Sequence, residues 1–271
     1  MNENYEVEGR VRRLRQRREY RPITPEIDRH RDLESFDIEF SPEGLVQELT
    51  AYNYLGELDC REVCSYDVEQ RLTGTLKYDS RGNLAAVMSY EYSDGGGRAE
   101  WSERSIAGNL LASGVEEYRG KDLISIARFR ANGLLFLQKK FEYAEERLAK
   151  SVSVYYRVEG GVGERSISTY DSNGRLAETY GLTPDGDALG DGLYRYEYDA
   201  EGRKSRVLSF NDFSESDIPN HISEFIYRCD ENGNWIERRE LSAFESDDCW
   251  NERVTLREIL YYVRSRPSAR I

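Results

Sequence analysis

The sequence predicts an all-β protein, built as a long antiparallel meander of about 14–17 short strands that curls or coils. Three observations predict this class. A turn motif recurs along the 271 residues, the segments between turns alternate apolar and charged residues, and the apolar content is low. Hydrophobic residues reach 38%, but this figure includes 20 tyrosines. A thick core between two packed sheets is therefore disfavoured.

The recurring motif consists of an aromatic residue, Asp, two variable residues and Gly. Its clearest copies begin at Tyr78, Tyr170, Tyr198 and, with a cysteine in the aromatic position, Cys229. The Asp side chain accepts a backbone N–H two residues on, and the Gly adopts the positive φ of a type I turn with a G1 bulge. We therefore assign these two residue types to structural turns, at Asp79, Gly82, Asp171, Gly174, Asp199, Gly202, Asp230 and Gly233.

The segments between the turns have the two-residue period of a β-strand. Tyr194, Tyr196 and Tyr198 share one face of a strand, whereas Arg195 and Glu197 share the other. This pattern is typical of a sheet with one covered face and one hydrated face. About 16 or 17 strands side by side would span about 75–80 Å, a width at which twisted sheets curl, split or close.

The two ends of the chain differ from the centre in charge. We predict a basic, flexible or capping segment over residues 1–35, the β-sheet domain over 36–263 and a basic tail over 264–271. Nine arginines lie within residues 10–31. A short amphipathic helix is one possibility there, and an arm for nucleic acid or an anionic membrane is another. A cap is the favoured interpretation, because the first strand of an open meander has unpaired backbone groups.

Composition bounds the location and the partners. The 51 acidic residues exceed the 38 basic ones, giving a net charge of −13, which argues against nonspecific binding of nucleic acid. No apolar run approaches the length of about 18 residues that a membrane helix needs, and the N-terminus has no apolar stretch typical of a signal peptide. The four cysteines, Cys60, Cys64, Cys229 and Cys249, form no C-x-x-C pair and predict reduced thiols in the cytoplasm.

Signatures of catalysis are missing from the sequence, so we predict no catalytic, cofactor-binding or metal-binding residue. His30 and His221 have no neighbouring partner that would support general-base chemistry. The loop with Asp185, Asp187 and Asp191 lacks the spacing and terminal Glu of a calcium loop. Carboxylates are so abundant that a glycosidase pair could be hidden among them, which keeps a carbohydrate-active protein as an alternative.

At the turn motif the sequence resembles the Rhs or YD-repeat family, whose hallmark is Tyr-Asp-x-x-Gly-Arg-Leu. Residues 170–176 match the hallmark fully, Lys204 replaces the Leu of the copy at Tyr198, and Asn83 replaces the Arg of the copy at Tyr78. The resemblance implies a long antiparallel YD-repeat sheet that spirals into a shell, which in large bacterial members encloses a C-terminal toxin. From its length we expect this chain not to form such a shell, and we expect no toxin domain or autoproteolytic motif after its repeats.

The favoured function is that of a non-catalytic protein that binds a protein partner, most simply an immunity protein that neutralises a basic toxin domain. Acidic surface suits such a partner, because complementary charge accelerates association and fixes orientation. Trp101, Trp235 and Trp250 lie next to turns and are candidate contacts. The alternatives are an Rhs-type shell module that encapsulates or assembles, and a carbohydrate-binding protein or glycosidase.

Overall fold

The computed structural model describes residues 7–20, 35–53, 55–93, 95–210, 218–244 and 251–262. Within these ranges the chain forms eighteen β-strands, numbered here in chain order. They are β1 Val11–Tyr20, β2 Ser35–Phe40, β3 Val46–Tyr52, β4 Leu58–Tyr66, β5 Leu72–Tyr78, β6 Leu84–Tyr92, β7 Arg98–Ser105, β8 Leu110–Arg119, β9 Asp122–Arg130, β10 Leu135–Ala144, β11 Arg147–Tyr156, β12 Val162–Tyr170, β13 Leu176–Leu182, β14 Ala188–Tyr198, β15 Lys204–Phe210, β16 His221–Cys229, β17 Trp235–Phe244 and β18 Asn251–Tyr261.

The all-β antiparallel class is confirmed, but the coiled sheet is not. Each strand is hydrogen-bonded to the strands before and after it, and β1 pairs with both β2 and β18. The eighteen strands therefore form one closed sheet, whereas the sequence predicted about 14–17 strands in a curled or coiled YD-repeat sheet. The sheet closes because β1 lies between β2 and β18 and supplies the backbone partner that both would lack in an open meander. We call β1 the closing strand.

The closing strand comes from the arginine-rich segment, which is a strand here and not an amphipathic helix. Its register places Arg15 opposite Asp37 of β2 and opposite Glu258 of β18. The guanidinium of Arg13 donates to Asp37 with an Nε–Oδ1 distance of 2.7 Å, and Arg15 forms ion pairs with Asp37 at 3.1 Å and Glu258 at 3.7 Å. Carboxylates on both neighbouring strands thus favour an arginine-bearing strand between them. The remainder of the segment, residues 21–34, and the tail 264–271 lie outside the described residues.

Two compact units can be distinguished by their internal contacts. Unit 1 comprises Met1–Ala85, Tyr227–Arg239 and Arg253–Ile271, and unit 2 comprises Ala86–Ile226 and Glu240–Glu252. The best-buried apolar cluster lies in unit 1, where Leu14 and Ile38 are fully buried beside Val11 and Phe40. Leu14 lies directly opposite Ile38, so the same strand pair that carries the arginine–carboxylate contacts also carries the core.

The buried apolar side chains of unit 2 include the indole of Trp101, and Leu193 and Phe210 on β14 and β15. Ala86, Ala99 and Trp101 are buried, and Trp101 lies directly opposite Gly114 on β8. A Cβ atom added to Gly114 would lie 2.4 Å from Cε2 of Trp101, so this position has room only for a hydrogen atom. Among the described residues, no helix is long and apolar enough to cross a membrane.

Candidate functional site

The Asp and Gly residues of the motif lie in four turns that share one set of backbone hydrogen bonds. In the turn after β12, the amide of Asp171 donates to the carbonyl of Arg175, and the amide of Gly174 donates back to the carbonyl of Asp171, both at 2.8 Å. The side chain of Asp171 accepts the amides of Asn173 and Arg175. Asp79, Asp199 and Asp230 accept the amide four residues on in the same way, and Gly82, Gly174, Gly202 and Gly233 have φ between 77° and 84°.

These hydrogen bonds lower the pKa of three motif carboxylates, those of Asp79, Asp171 and Asp199. The pKa of Asp79 is lowered, chiefly because the backbone amide of Asn83 donates to it. For Asp171, partial burial alone would raise the pKa, but the hydrogen bonds from the Arg175 side chain and backbone outweigh it and the pKa is lowered. The hydrogen bonds of the turn thus account for each of these lowered pKa values.

The tyrosine before a turn ties that turn to the preceding turn at the same end of the strands. The hydroxyl of Tyr198 donates to the carbonyl of Leu176 at 2.8 Å, and that of Tyr143 donates to the carbonyl of Leu123 at 2.9 Å. Leu176 and Leu123 each lie at or next to the first position of the strand after the preceding turn. The guanidinium of Arg175 lies 4.5 Å from the ring centre of Tyr198. The Tyr and Arg of the motif therefore act between turns, which sequence analysis missed.

In unit 2 every described turn at one end of the strands follows a tyrosine by one or two residues, and we call this end the tyrosine end. At the opposite end, Phe129 and Tyr156 precede two of the turns. Consecutive antiparallel strands place successive turns at alternating ends. The tyrosine end therefore comprises the turns at 93–98, 120–121, 145–146, 171–175 and 199–203. The opposite end, here called the apolar end, comprises the turns at 105–109, 130–134, 157–161 and 183–187.

The exposed apolar side chains of unit 2 concentrate at the apolar end. Ile106, Leu134 and Val158 are exposed by 70%, 44% and 66% in three successive turns of that end. Leu111 and Tyr155, close to the same turns along β8 and β11, are also exposed. No large hydrophobic side chain is exposed in the described turns of the tyrosine end. Turns are ordinarily polar, so exposed apolar side chains in three successive turns make this end a candidate interaction surface.

A cavity of about 390 Å³ adjoins this surface between the turns at 157–161 and 183–187. Its lining is Tyr155, Tyr156, Arg157, Gly163, Glu164, Thr183, Pro184 and Leu189. Asp185 and Asp187, from the loop that lacks calcium-loop spacing, are exposed beside it. The apolar end therefore combines apolar turn tips with charged side chains, among them the exposed Arg157, Asp185 and Asp187.

Two of the three predicted tryptophan contacts lie in the interior. Trp101 is 8% exposed and packs beside Tyr90 and Gly114, and Trp235 is 3% exposed with the guanidinium of Arg257 at 3.4 Å from its ring centre. We correct the prediction for both, because a partner cannot reach side chains this buried. Trp250 lies outside the described residues. The exposed aliphatic turn tips take the place of these tryptophans as candidate contacts.

The other reactive side chains have ordinary structural surroundings. Cys60 and Cys64 are free thiols, and burial raises the pKa of both. Cys229 is the last residue of β16. Burial lowers the pKa of His221, with Glu240 opposing the shift. Among the residues that the structure describes, no group of three or more His, Cys, Asp or Glu is arranged to hold a metal ion. His30 and Cys249 lie outside those residues.

No protein-family model and no curated protein sequence matches this chain. Among solved structures, a porin-like protein from Bacteroides uniformis ATCC 8492 is similar over 92% of this chain and 98% of its own, with 12% identity and a TM-score of 0.49. The TcdB2-TccC3 structure is similar over 83% of this chain but only 17% of its own, with 12% identity and a TM-score of 0.22. The Tc holotoxin pore of Photorhabdus luminescens is similar over 78% of this chain and 16% of its own, with 11% identity and a TM-score of 0.19. At these values the matches assign neither a family nor a function.

Proposed function

We propose that this chain is a non-catalytic protein-binding module whose apolar end contacts a protein partner. The observation that carries this proposal is the exposure of Ile106, Leu134 and Val158 in three successive turns of one end of unit 2. Such turns recur every second strand, about 10 Å apart, so the three tips span about 20 Å. That length matches one side of a protein–protein interface of ordinary size.

The chemistry of the surface indicates the kind of partner. Apolar tips form a dry centre, and the exposed carboxylates of Glu159, Asp185 and Asp187 lie beside it. A partner with an apolar contact patch and a basic rim complements both parts. The net charge of −13 adds long-range attraction to such a partner.

At finer detail, we propose that the partner is a basic toxin domain and that the chain is a cytoplasmic immunity protein that blocks it. The resemblance of residues 170–176 to the YD-repeat hallmark supports a connection with toxin systems. The shell-module alternative is less well supported, because pairing on both sides of every described strand leaves no strand edge for assembly by strand addition. No contact in the described residues favours a carbohydrate over a protein ligand.

The test is co-expression with any basic toxin domain that is encoded beside this chain's gene, followed by calorimetric titration of the purified pair. We expect rescue of growth, co-purification, and a loss of affinity of about fivefold to thirtyfold for Ile106→Ser or Val158→Ser, as for truncated interface contacts worth about 1–2 kcal/mol. Val68→Ser is the matched control, since Val68 is a fully exposed turn residue outside unit 2. Absence of both rescue and co-purification would exclude the immunity function, and equal weakening by the control would exclude the apolar end.

A further inference from the structure

A second cavity, also of about 390 Å³, lies in unit 1 and has a different chemistry from the one in unit 2. It is bounded by β1, by the start of β2 and by the turn between β3 and β4, and its lining includes Arg15, Arg17, Arg18 and Tyr52. A volume of this size accommodates a small organic ligand. Three arginines from one strand therefore meet in a space large enough to hold a molecule.

Strand register arranges part of this lining on one face. Arg15 lies opposite Asp37, and Ser35 lies opposite Tyr52. Because side chains alternate along a strand, Arg15 and Arg17 share their face with Ser35, Asp37 and Tyr52. Two guanidinium groups, a hydroxyl group and a phenol are thus presented together.

The positive charge of this cavity is only partly neutralised. Arg15 is paired with Asp37 at 3.1 Å and with Glu258 at 3.7 Å. Arg17 is exposed, and no carboxylate of the described residues lies within 4.0 Å of its guanidinium. None of the described lining residues is acidic, although the chain as a whole carries a net charge of −13. A local excess of arginine on an acidic protein favours an anion at this position.

We propose that this cavity binds a phosphate monoester with a small apolar or aromatic body. The planar guanidinium fork presents paired N–H donors that match the oxygens of a phosphate, and Arg15 and Arg17 present two such forks on one face of β1. Tyr52 and the exposed Leu55 supply apolar surface for the remainder of the ligand. This site is independent of the apolar end, so the failure of one proposal leaves the other standing.

The proposal is tested with phenyl phosphate, inorganic phosphate and phenol as probes, titrated calorimetrically into the full chain at low salt. We expect phenyl phosphate to bind, inorganic phosphate to bind more weakly, and phenol to produce no saturable heat. Arg17→Gln should lower the affinity for phenyl phosphate about tenfold or more, because it removes one charge-assisted hydrogen bond. Arg12→Gln is the matched control, because Arg12 is an exposed arginine of the same strand outside the cavity.

Tyr52→Ser separates the two halves of the proposed ligand. It should lower the affinity for phenyl phosphate and leave the affinity for inorganic phosphate unchanged. An unaltered melting temperature of each variant shows that the sheet is intact. Lack of saturable phenyl phosphate binding at about 10 mM, which corresponds to a free energy weaker than about −3 kcal/mol, would overturn the proposal. Equal weakening by Arg12→Gln and Arg17→Gln would overturn it too, since binding would then follow overall charge.

Discussion

The hydroxyl of Tyr198 donates a hydrogen bond of 2.8 Å to the carbonyl oxygen of Leu176, twenty-two residues earlier in the chain. Tyr143 makes the equivalent bond to Leu123 in unit 2, and Tyr66 makes it to Val46 in unit 1 at 2.8 Å. Each bond joins one turn to the preceding turn at the same end of the strands. The tyrosine of the motif is therefore a link between neighbouring hairpins, in addition to being a strand former.

Removing this link should destabilise the protein measurably. Tyr198→Phe deletes the donor and leaves the carbonyl of Leu176 without it, so we expect a loss of about 0.5–1.5 kcal/mol in the free energy of unfolding. Tyr194→Phe on the same strand is the control, since the Tyr194 hydroxyl has no hydrogen-bond partner among the described residues. Urea denaturation measures both, and equal losses for the two variants would contradict the link.

Positive φ at the motif glycines predicts opposite effects for two substitutions. Gly174 has φ of 77° and nothing within 4 Å of an added Cβ, so Gly174→Val costs only backbone strain, about 1–3 kcal/mol. Gln70 occupies the equivalent place in the turn after Tyr66 with φ of 64°, so Gln70→Gly should stabilise by up to about 1 kcal/mol. Gly202→Val, at φ of 82°, should behave as Gly174→Val does. Thermal unfolding compares the three variants, and unchanged midpoints would reject the assigned turn geometry.

The closing strand makes stability depend on acid pH through Asp37. Burial alone would raise the pKa of this 6%-exposed carboxylate, but the hydrogen bonds from Arg13 and Arg15 outweigh burial, so the pKa is lowered. A carboxylate with a lowered folded-state pKa contributes stability above its ordinary pKa of about 3.9 and loses it as the pH falls through the folded value.

Asp37→Asn should accordingly lower the free energy of unfolding by about 1.5–3 kcal/mol at pH 7. We expect a value near the lower limit, because Arg13 and Arg15 are partly exposed to solvent. The difference between wild type and variant should shrink as the pH approaches 2. Urea titrations across this range supply the measurement, and a difference independent of pH would show that Asp37 is not held ionised by these arginines.

The contact between Gly114 and Trp101 limits side-chain size in the core of unit 2. Gly114→Ala places a Cβ 2.4 Å from Cε2 of the indole, and we expect destabilisation of about 1–3 kcal/mol from overpacking. Gly97→Ala is the control, because its Cβ would meet only a backbone oxygen at 3.9 Å. In a double-mutant cycle, Trp101→Leu should remove most of the added cost of Ala at position 114, and additive losses would refute the contact.

Local chemistry is the part of this fold that the sequence predicts well. The alternation of Tyr194, Tyr196 and Tyr198 with charged residues specifies strands, and an Asp or Gly in the motif acts within five residues of itself. Closure depends instead on pairs far apart in sequence. Arg15 meets both Asp37 and Glu258, and no local pattern around Arg15 indicates a partner near the other end of the chain.

The candidate surface was missed for a related reason. Whether Ile106, Leu134 and Val158 lie at one end of the strands depends on the number of strands between them, and a single miscounted strand moves a turn to the opposite end. Trp101 and Trp235 were predicted as contacts because large aromatic residues near turns often form interfaces. In the structure the indole of Trp101 packs over Gly114, and the guanidinium of Arg257 lies over the ring of Trp235. Burial of this kind is a tertiary property.

Amide hydrogen exchange of the chain with and without the proposed toxin partner tests the central claim most directly. We predict that binding slows exchange in the turns at 105–109, 130–134 and 157–161 and leaves the turns at 120–121, 145–146 and 171–175 unchanged. Protection confined to the tyrosine end, or no change at the apolar end in a complex of demonstrated stoichiometry, would contradict the claim that the apolar end of unit 2 is the binding surface.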